Sequence, residues 1–218
     1  MCDFCSELSG RDAGEFARRH PDAVSRVAWA SPDLAVLPTL GALCSGHVLI
    51  VPRTHFTAFA CAPEPTRREA EELVRYLAVR ERAEGRDLLW FEHGSARPAS
   101  SGGCGIAHAH IHVVPVPAGW VRPPLPSDPA FTAAGDGEWL DVPGRGSDYL
   151  LIGQLADVWV APVEWIASQA LRRWVAPSVG AVEWDWRTST PDPDLAETVS
   201  ALRTILAARA RAAELSVA

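Results

Sequence analysis

Gly105-Ile-Ala-His-Ala-His-Ile-His-Val-Val-Pro115 places three of the chain's seven histidines on alternate positions. An extended strand sends alternate side chains to opposite faces and advances roughly 6.6 Å per pair, so His108, His110 and His112 share one face while Ala107, Ala109, Ile111 and Val113 share the other. The apolar face belongs in a core. Imidazoles fill the second face poorly, because each brings two polar nitrogens that need partners when buried. A functional site accounts for them better than a solvated strand does. Imidazole can ligate a borderline metal, or act near neutral pH as nucleophile and proton carrier. Three at this spacing reach one zinc, with a fourth position left to water, only if the strand bends; one ligand, one nucleophile and one orienting group is equally sound chemistry.

Upstream, Val24–Ala30 and Leu34–Leu37 read as short strands interrupted by Ser31-Pro32-Asp33. His47–Val51 is a better strand, opened by Gly46 and closed by Pro52, and Leu88–Phe91 is the next. Between them, residues 64 to 84 set Leu73, Val74, Leu77 and Ala78 against Glu and Arg, a helical stripe ended by Gly85. A loop rich in Gly and Ser, residues 94 to 105, leads into the histidine segment. Downstream, 115 to 146 reads as an excursion dominated by proline, glycine and acidic residues. Residues 149–152 and 155–160 read as a hairpin turning through Gly153-Gln154, and 164 to 175 as a helix offering Trp165, Ile166, Leu171 and Trp174 for packing. A last helix runs from an Asp194 cap, with Glu197 completing a capping box, to about Leu215. Seven of the nine tryptophans lie beyond residue 119, so this part packs around bulky aromatics.

A chain of 218 residues with 48% hydrophobic and 22% charged content buries a real core. Its formal charge of −7 gives no reason to bind duplex nucleic acid or an acidic membrane, though a local basic pocket could hold a small phosphate ester. No run of 18 apolar residues occurs, and Met1-Cys-Asp-Phe-Cys5 carries neither a basic region nor a signal-peptide core, so a cytoplasmic location is the default expectation. Five cysteines, an odd count, argue against a disulfide scaffold. Cys2 and Cys5 form a Cys-x-x-Cys pair, which is a metal half-site, a redox pair or idle thiols.

His108-x-His110-x-His112 resembles the signature of the histidine triad superfamily of nucleotide hydrolases and nucleotidyltransferases. Gly46-His-Val-Leu-Ile-Val-Pro-Arg-Thr-His55 is similar to that family's glycine-histidine strand, and Cys2-x-x-Cys5 to its zinc-bearing branch, distantly like galactose-1-phosphate uridylyltransferase. The resemblance covers about residues 1 to 117. It implies an α+β fold, a curved antiparallel sheet with packed helices, forming a catalytic core over 1–117. Residues 118–218 are then an aromatic-rich C-terminal extension, with a short hairpin and two helices packed on that core. It implies an enzyme in which His110 attacks the α-phosphorus of a nucleotide or nucleotidylated small molecule. The covalent nucleotidyl-histidine is then taken by water or another acceptor. His112 would contact phosphate oxygens or the leaving group, and His47 would support the triad. Ser101, Gly102, Gly103 and Gly105 would bring backbone amides and a hydroxyl to phosphate. Beyond the motif, Arg172 and Arg173, near one helical face, are candidate phosphate grips, and Trp184-Asp-Trp-Arg187 offers two alternate aromatics, either of which could stack on a base or sugar.

By the same resemblance Cys2, Cys5, His55 and His108 hold a structural zinc that pins the N-terminus to the sheet; His93 is the competing fourth ligand. A homodimer is expected on family grounds alone. The chain departs from the pattern in three places. Gly103-Cys104 stands for a glycine-glutamine pair, Glu92-His93-Gly94 for an asparagine, and Thr39 falls near the ribose-binding aspartate. These leave the base and leaving group open. Retention of His112, where uridylyltransferase-like relatives carry glutamine, points toward hydrolases. The alternatives are a non-catalytic nucleotide-binding or adaptor module of the same fold, and direct metal chemistry on the three-histidine face.

Overall fold

The computed structural model describes residues 2–11, 14–95, 107–124, 130–134, 139–140, 147–154, 157–164, 167–189 and 194–217. Two short helices, α1 (Asp3–Leu8) and α2 (Glu15–Arg19), precede strands β1 (Trp29–Ala30), β2 (Leu34–Pro38) and β3 (Val48–Pro52). Helix α3 (Glu64–Ala83) leads to β4 (Arg86–Gly94), β5 (Ile111–Pro117), β6 (Thr132–Ala133) and the hairpin β7 (Asp148–Gln154) and β8 (Asp157–Val163). The chain ends in α4 (Ala170–Val175) and α5 (Leu195–Val217). Among the described residues the eight strands form one antiparallel sheet in the order β1-β2-β3-β5-β4-β7-β8-β6. Residues beyond 117 thus join the same sheet, because β7 pairs along β4 from Leu89↔Gln154 to Gly94↔Tyr149.

Strand alternation divides the core. Val36, Ile50, Ile111, Val113, Leu88, Trp90 and Leu151 face α3 and α5, meeting Leu73, Leu77, Leu202 and Leu206. Leu89, Phe91, Val114, Val116 and Ile152 face α4 through Leu171 and Val175. Leu37, Leu49 and Val51 on that second face are covered by Phe4 of α1. A helix of six residues has too few internal hydrogen bonds to persist alone, so α1 depends on this packing. Among the described residues no helix is long and apolar enough to cross a membrane.

Several elements differ from the sequence expectation. Of Val24–Ala30 only Trp29–Ala30 is strand, paired with Val36 and Ala35, while Ala28 N–H donates to Val36 O at 2.9 Å. The hairpin reverses after Gln154, which pairs with Asp157, so Gly153 and Gln154 belong to the strand. The helix expected from 164 starts at Ala170, since Gln169 sits in the left-handed region (φ 60°, ψ 23°) and breaks any helix running through it; Trp165 and Ile166 lie outside the described residues. The α3 stripe runs as expected, and Gly85 at φ 74° ends it.

Candidate active site and metal cluster

Regular pairing in the histidine strand begins at Ile111, so His108 and His110 stand just before β5, where Ala109 N–H donates to Phe56 O at 2.7 Å. The three imidazoles lie on the α1 side, and that face is buried: His108, His110 and His112 are 1%, 6% and 3% exposed. Phe4 packs edge-on against His108 and His110, with centroids 5.6 and 5.5 Å apart, and Phe91 stacks on His112 at 4.5 Å.

His108 turns away from the other two. Its Nδ1 lies 3.3 Å from Cys2 Sγ and 3.6 Å from Cys5 Sγ, while His55 Nδ1 lies 3.3 Å from Cys5 Sγ. All four donor atoms fall within 4.8 Å of one another. A tetrahedron with ordinary Zn–S and Zn–N bonds has edges of about 3.3–3.8 Å, so the three sulfur–nitrogen separations fit zinc. His108 Nε2–H donates to Pro52 O at 2.7 Å, which fixes the tautomer that presents the Nδ1 lone pair to the cluster. His93 is not in this group; it sits on β4 opposite Leu150.

The remaining histidines form a chain whose tautomers follow from their partners. Leu43 N–H donates to His47 Nδ1 at 3.1 Å, so the hydrogen of neutral His47 is on Nε2. That Nε2–H donates to His112 Nδ1 at 3.0 Å, which leaves the His112 hydrogen on Nε2. His110 Nδ1–H donates to His108 O at 2.7 Å, so His110 Nε2 carries a lone pair. Burial, the largest cause, pulls His110 down to about 4 and holds His47 and His112 well below the ordinary histidine value. All three are therefore neutral at pH 7.

His110 and His112 open onto a cleft lined by Phe4, Phe16, Arg26, Thr39, Leu40, Leu49 and Trp186, with Asp3, Glu7 and Glu15 also on its wall. Arg26 is buried and braces this wall through Glu7, at 2.7 and 2.9 Å, and Pro38 O, at 2.6 Å. Sequence reasoning missed Phe4 and Phe16: Phe4 lies inside the Cys-x-x-Cys motif, and no local pattern marks Phe16. Of the two tryptophans in Trp184–Arg187, Trp186 is the one that lines the cleft.

Arg172 and Arg173 do not share a face. Adjacent helical residues are about 100° apart, and here Arg172 is fully buried, donating to Gly41 O and, at 2.9 Å, to Trp184 O, while Arg173 is exposed over the Trp184 ring. Neither lines the cleft. Ser101, Gly102, Gly103 and Gly105, with Cys104, lie outside the described residues. Cys44 is an unreactive thiol: burial raises it to about 11, and its S–H donates to Pro115 O at 3.3 Å.

Residues 26–124 match the family described as "Protein similar to CwfJ C-terminal". Among solved structures, the chain is similar to a Zn-bound histidine triad family protein from Mycobacterium smegmatis, with 16% identity over 97% of this chain and 96% of that one, TM-score 0.45. A HIT family protein from Bacillus subtilis follows at 19% identity over 54% and 74%, TM-score 0.38. A histidine triad nucleotide-binding protein from Candida albicans matches at 16% over 59% and 88%, TM-score 0.39. No curated protein sequence matches the chain. With the His108-x-His110-x-His112 run beside the Gly46-His47 strand in one antiparallel sheet, and residues 26–124 matched as they are, the chain is similar to the proteins of the histidine triad superfamily.

Proposed function

We propose that this protein binds nucleotides and transfers or hydrolyses a nucleoside monophosphate through a covalent intermediate on His110. One observation carries the reading: His110 commits Nδ1–H to the His108 carbonyl at 2.7 Å and lines the cleft with its other nitrogen unprotonated. A neutral imidazole in that tautomer is a competent nucleophile at pH 7. As Nε2 bonds to the α-phosphorus, the bond from phosphorus to the leaving group breaks, and the positive charge arising on the ring is stabilised by the Nδ1–H···O bond. His112 Nε2–H, fixed as a donor through His47, supplies a hydrogen bond to the phosphate oxygens or to the leaving-group oxygen, which takes its proton from water. Water, or another acceptor, then attacks phosphorus and releases His110.

Cys2, Cys5, His55 and His108 would hold zinc. With four protein ligands that ion is structural and leaves no position for water. It would tie α1 to the strand bearing His110, and so set Phe4 against that ring.

The test is intact-protein mass after brief mixing with nucleotides and dinucleoside polyphosphates, beside His110→Asn. A nucleotidyl adduct present in the parent and absent in the variant supports the mechanism and names the transferred group. Folded, metal-loaded protein that binds nucleotide yet shows neither adduct nor turnover leaves a binding module as the function.

A further inference from the structure

Trp186 lies far outside the histidine motif and outside the matched segment 26–124, yet it lines the same cleft as His110 and His112. Its side chain is 9% exposed and belongs to none of the hydrophobic core clusters of the described residues. Two guanidinium groups lie over its ring, Arg187 at 5.2 Å and Arg19 at 6.0 Å from the centroid.

The turn that carries Trp186 is held on several sides. Its N–H donates to Gln169 Oε1 at 3.1 Å, and its carbonyl accepts from Arg19 Nη2 at 2.6 Å and Ser189 Oγ at 3.1 Å. Gln169 Nε2 donates to Asp185 Oδ1 at 2.6 Å. Among the described residues Gln169 is the non-glycine residue with positive φ, and its amide is 1% exposed. A left-handed glutamine costs free energy that the surrounding contacts must offset. Gly41, at φ 60°, packs directly against this turn; a Cβ there would come within 2.8 Å of Trp186 Cα. Arg172 bridges the two segments, donating to Gly41 O and Trp184 O. The left-handed glutamine, the close-packed glycine and the buried arginine all fix the backbone of the turn that sets this indole in the wall of the cleft His110 lines.

We infer that Trp186 is a specificity-determining residue that stacks on the heterocyclic base of the substrate, with Gln169 as the positioning residue that sets it. This rests on the nucleotide reading of the cleft. An indole face offers a base stacking and dispersion but no directional phosphate contact, so its loss should be felt by the base alone.

The experiment measures dissociation constants by calorimetry for AMP, GMP, CMP, UMP and ribose 5-phosphate, in the parent protein, Trp186→Ala, Trp186→Phe and Gln169→Gly. Circular dichroism and metal content control for folding. Trp186→Ala should weaken the nucleoside monophosphates by about 10- to 100-fold, the range for losing one base–aromatic stack, and leave ribose 5-phosphate unchanged. Trp186→Phe should recover most of the loss, and Gln169→Gly should fall between, again only for ligands with a base. Equal losses for ribose 5-phosphate and the nucleotides, or no loss at all, overturn the inference while nucleotide binding by the parent stands. A parent protein that binds none of the five overturns both the inference and the reading beneath it.

Discussion

Glu92→Gln should change how stability depends on pH, by an amount the structure sets. Glu92 is 0% exposed in the middle of the sheet, accepting from Phe59 N–H at 2.8 Å and Tyr149 O–H at 2.6 Å. Burial raises its carboxyl from 4.5 to about 7, against the opposing pull of those two donors. A folded-state value above the unfolded one means that the native protein holds the proton more tightly. That stabilisation is fully present below about pH 4.5 and lost as pH rises through about 7. A shift from 4.5 to about 7 corresponds to roughly 3 kcal/mol across the window. His110 runs the other way, because its fall from 6.5 to about 4 gives stability that is present above 6.5 and lost toward 4. That contribution is common to parent and variant. Urea unfolding of both at pH 5 and pH 8 therefore isolates Glu92: the stability of the variant relative to the parent should be about 2–3 kcal/mol more favourable at pH 8 than at pH 5, since part of the stabilisation is already lost by pH 5. Any hydrogen bond the glutamine fails to remake with Tyr149 enters at both pH values and cancels. Parallel parent and variant curves from pH 5 to 8 would refute a buried, proton-holding Glu92.

Two further outcomes follow from the same geometry. Purified protein should carry about one equivalent of zinc, lost in Cys5→Ser, and chelation should lower its melting temperature, because α1 is held by the cluster as well as by Phe4; elemental analysis showing no bound metal in the parent would remove the cluster from the account. His47→Phe leaves Leu43 N–H and His112 Nδ1 without the His47 ring, so a stability loss of about 1–3 kcal/mol is expected in urea, together with slower adduct formation. An unchanged adduct rate would show that the tautomer of His112 does not matter.

Much of the sheet was legible because its signals are local. Alternation in Gly105–Pro115 separated Ile111 and Val113 from the imidazoles, and the α3 stripe ended at Gly85 where the pattern said it should. Short or strained pieces were not legible. Strand β1 is only Trp29–Ala30, and α4 starts late because Gln169 answers to Asp185 and Trp186, contacts many residues away. Arg172 and Arg173 looked alike in sequence; burial beside Gly41 gave them different roles.

The alternating imidazoles, the apolar face that seats them and the residue types able to hold a metal can be read from the chain alone, since these depend on backbone periodicity and side-chain chemistry. It took the folded arrangement to establish that His55 and not His93 meets Cys2, Cys5 and His108, which nitrogen of each histidine carries its hydrogen, and that Trp186 reaches the cleft. Those outcomes depend on distances between groups remote in the chain, and such distances exist only once the sheet has closed and its two faces are covered.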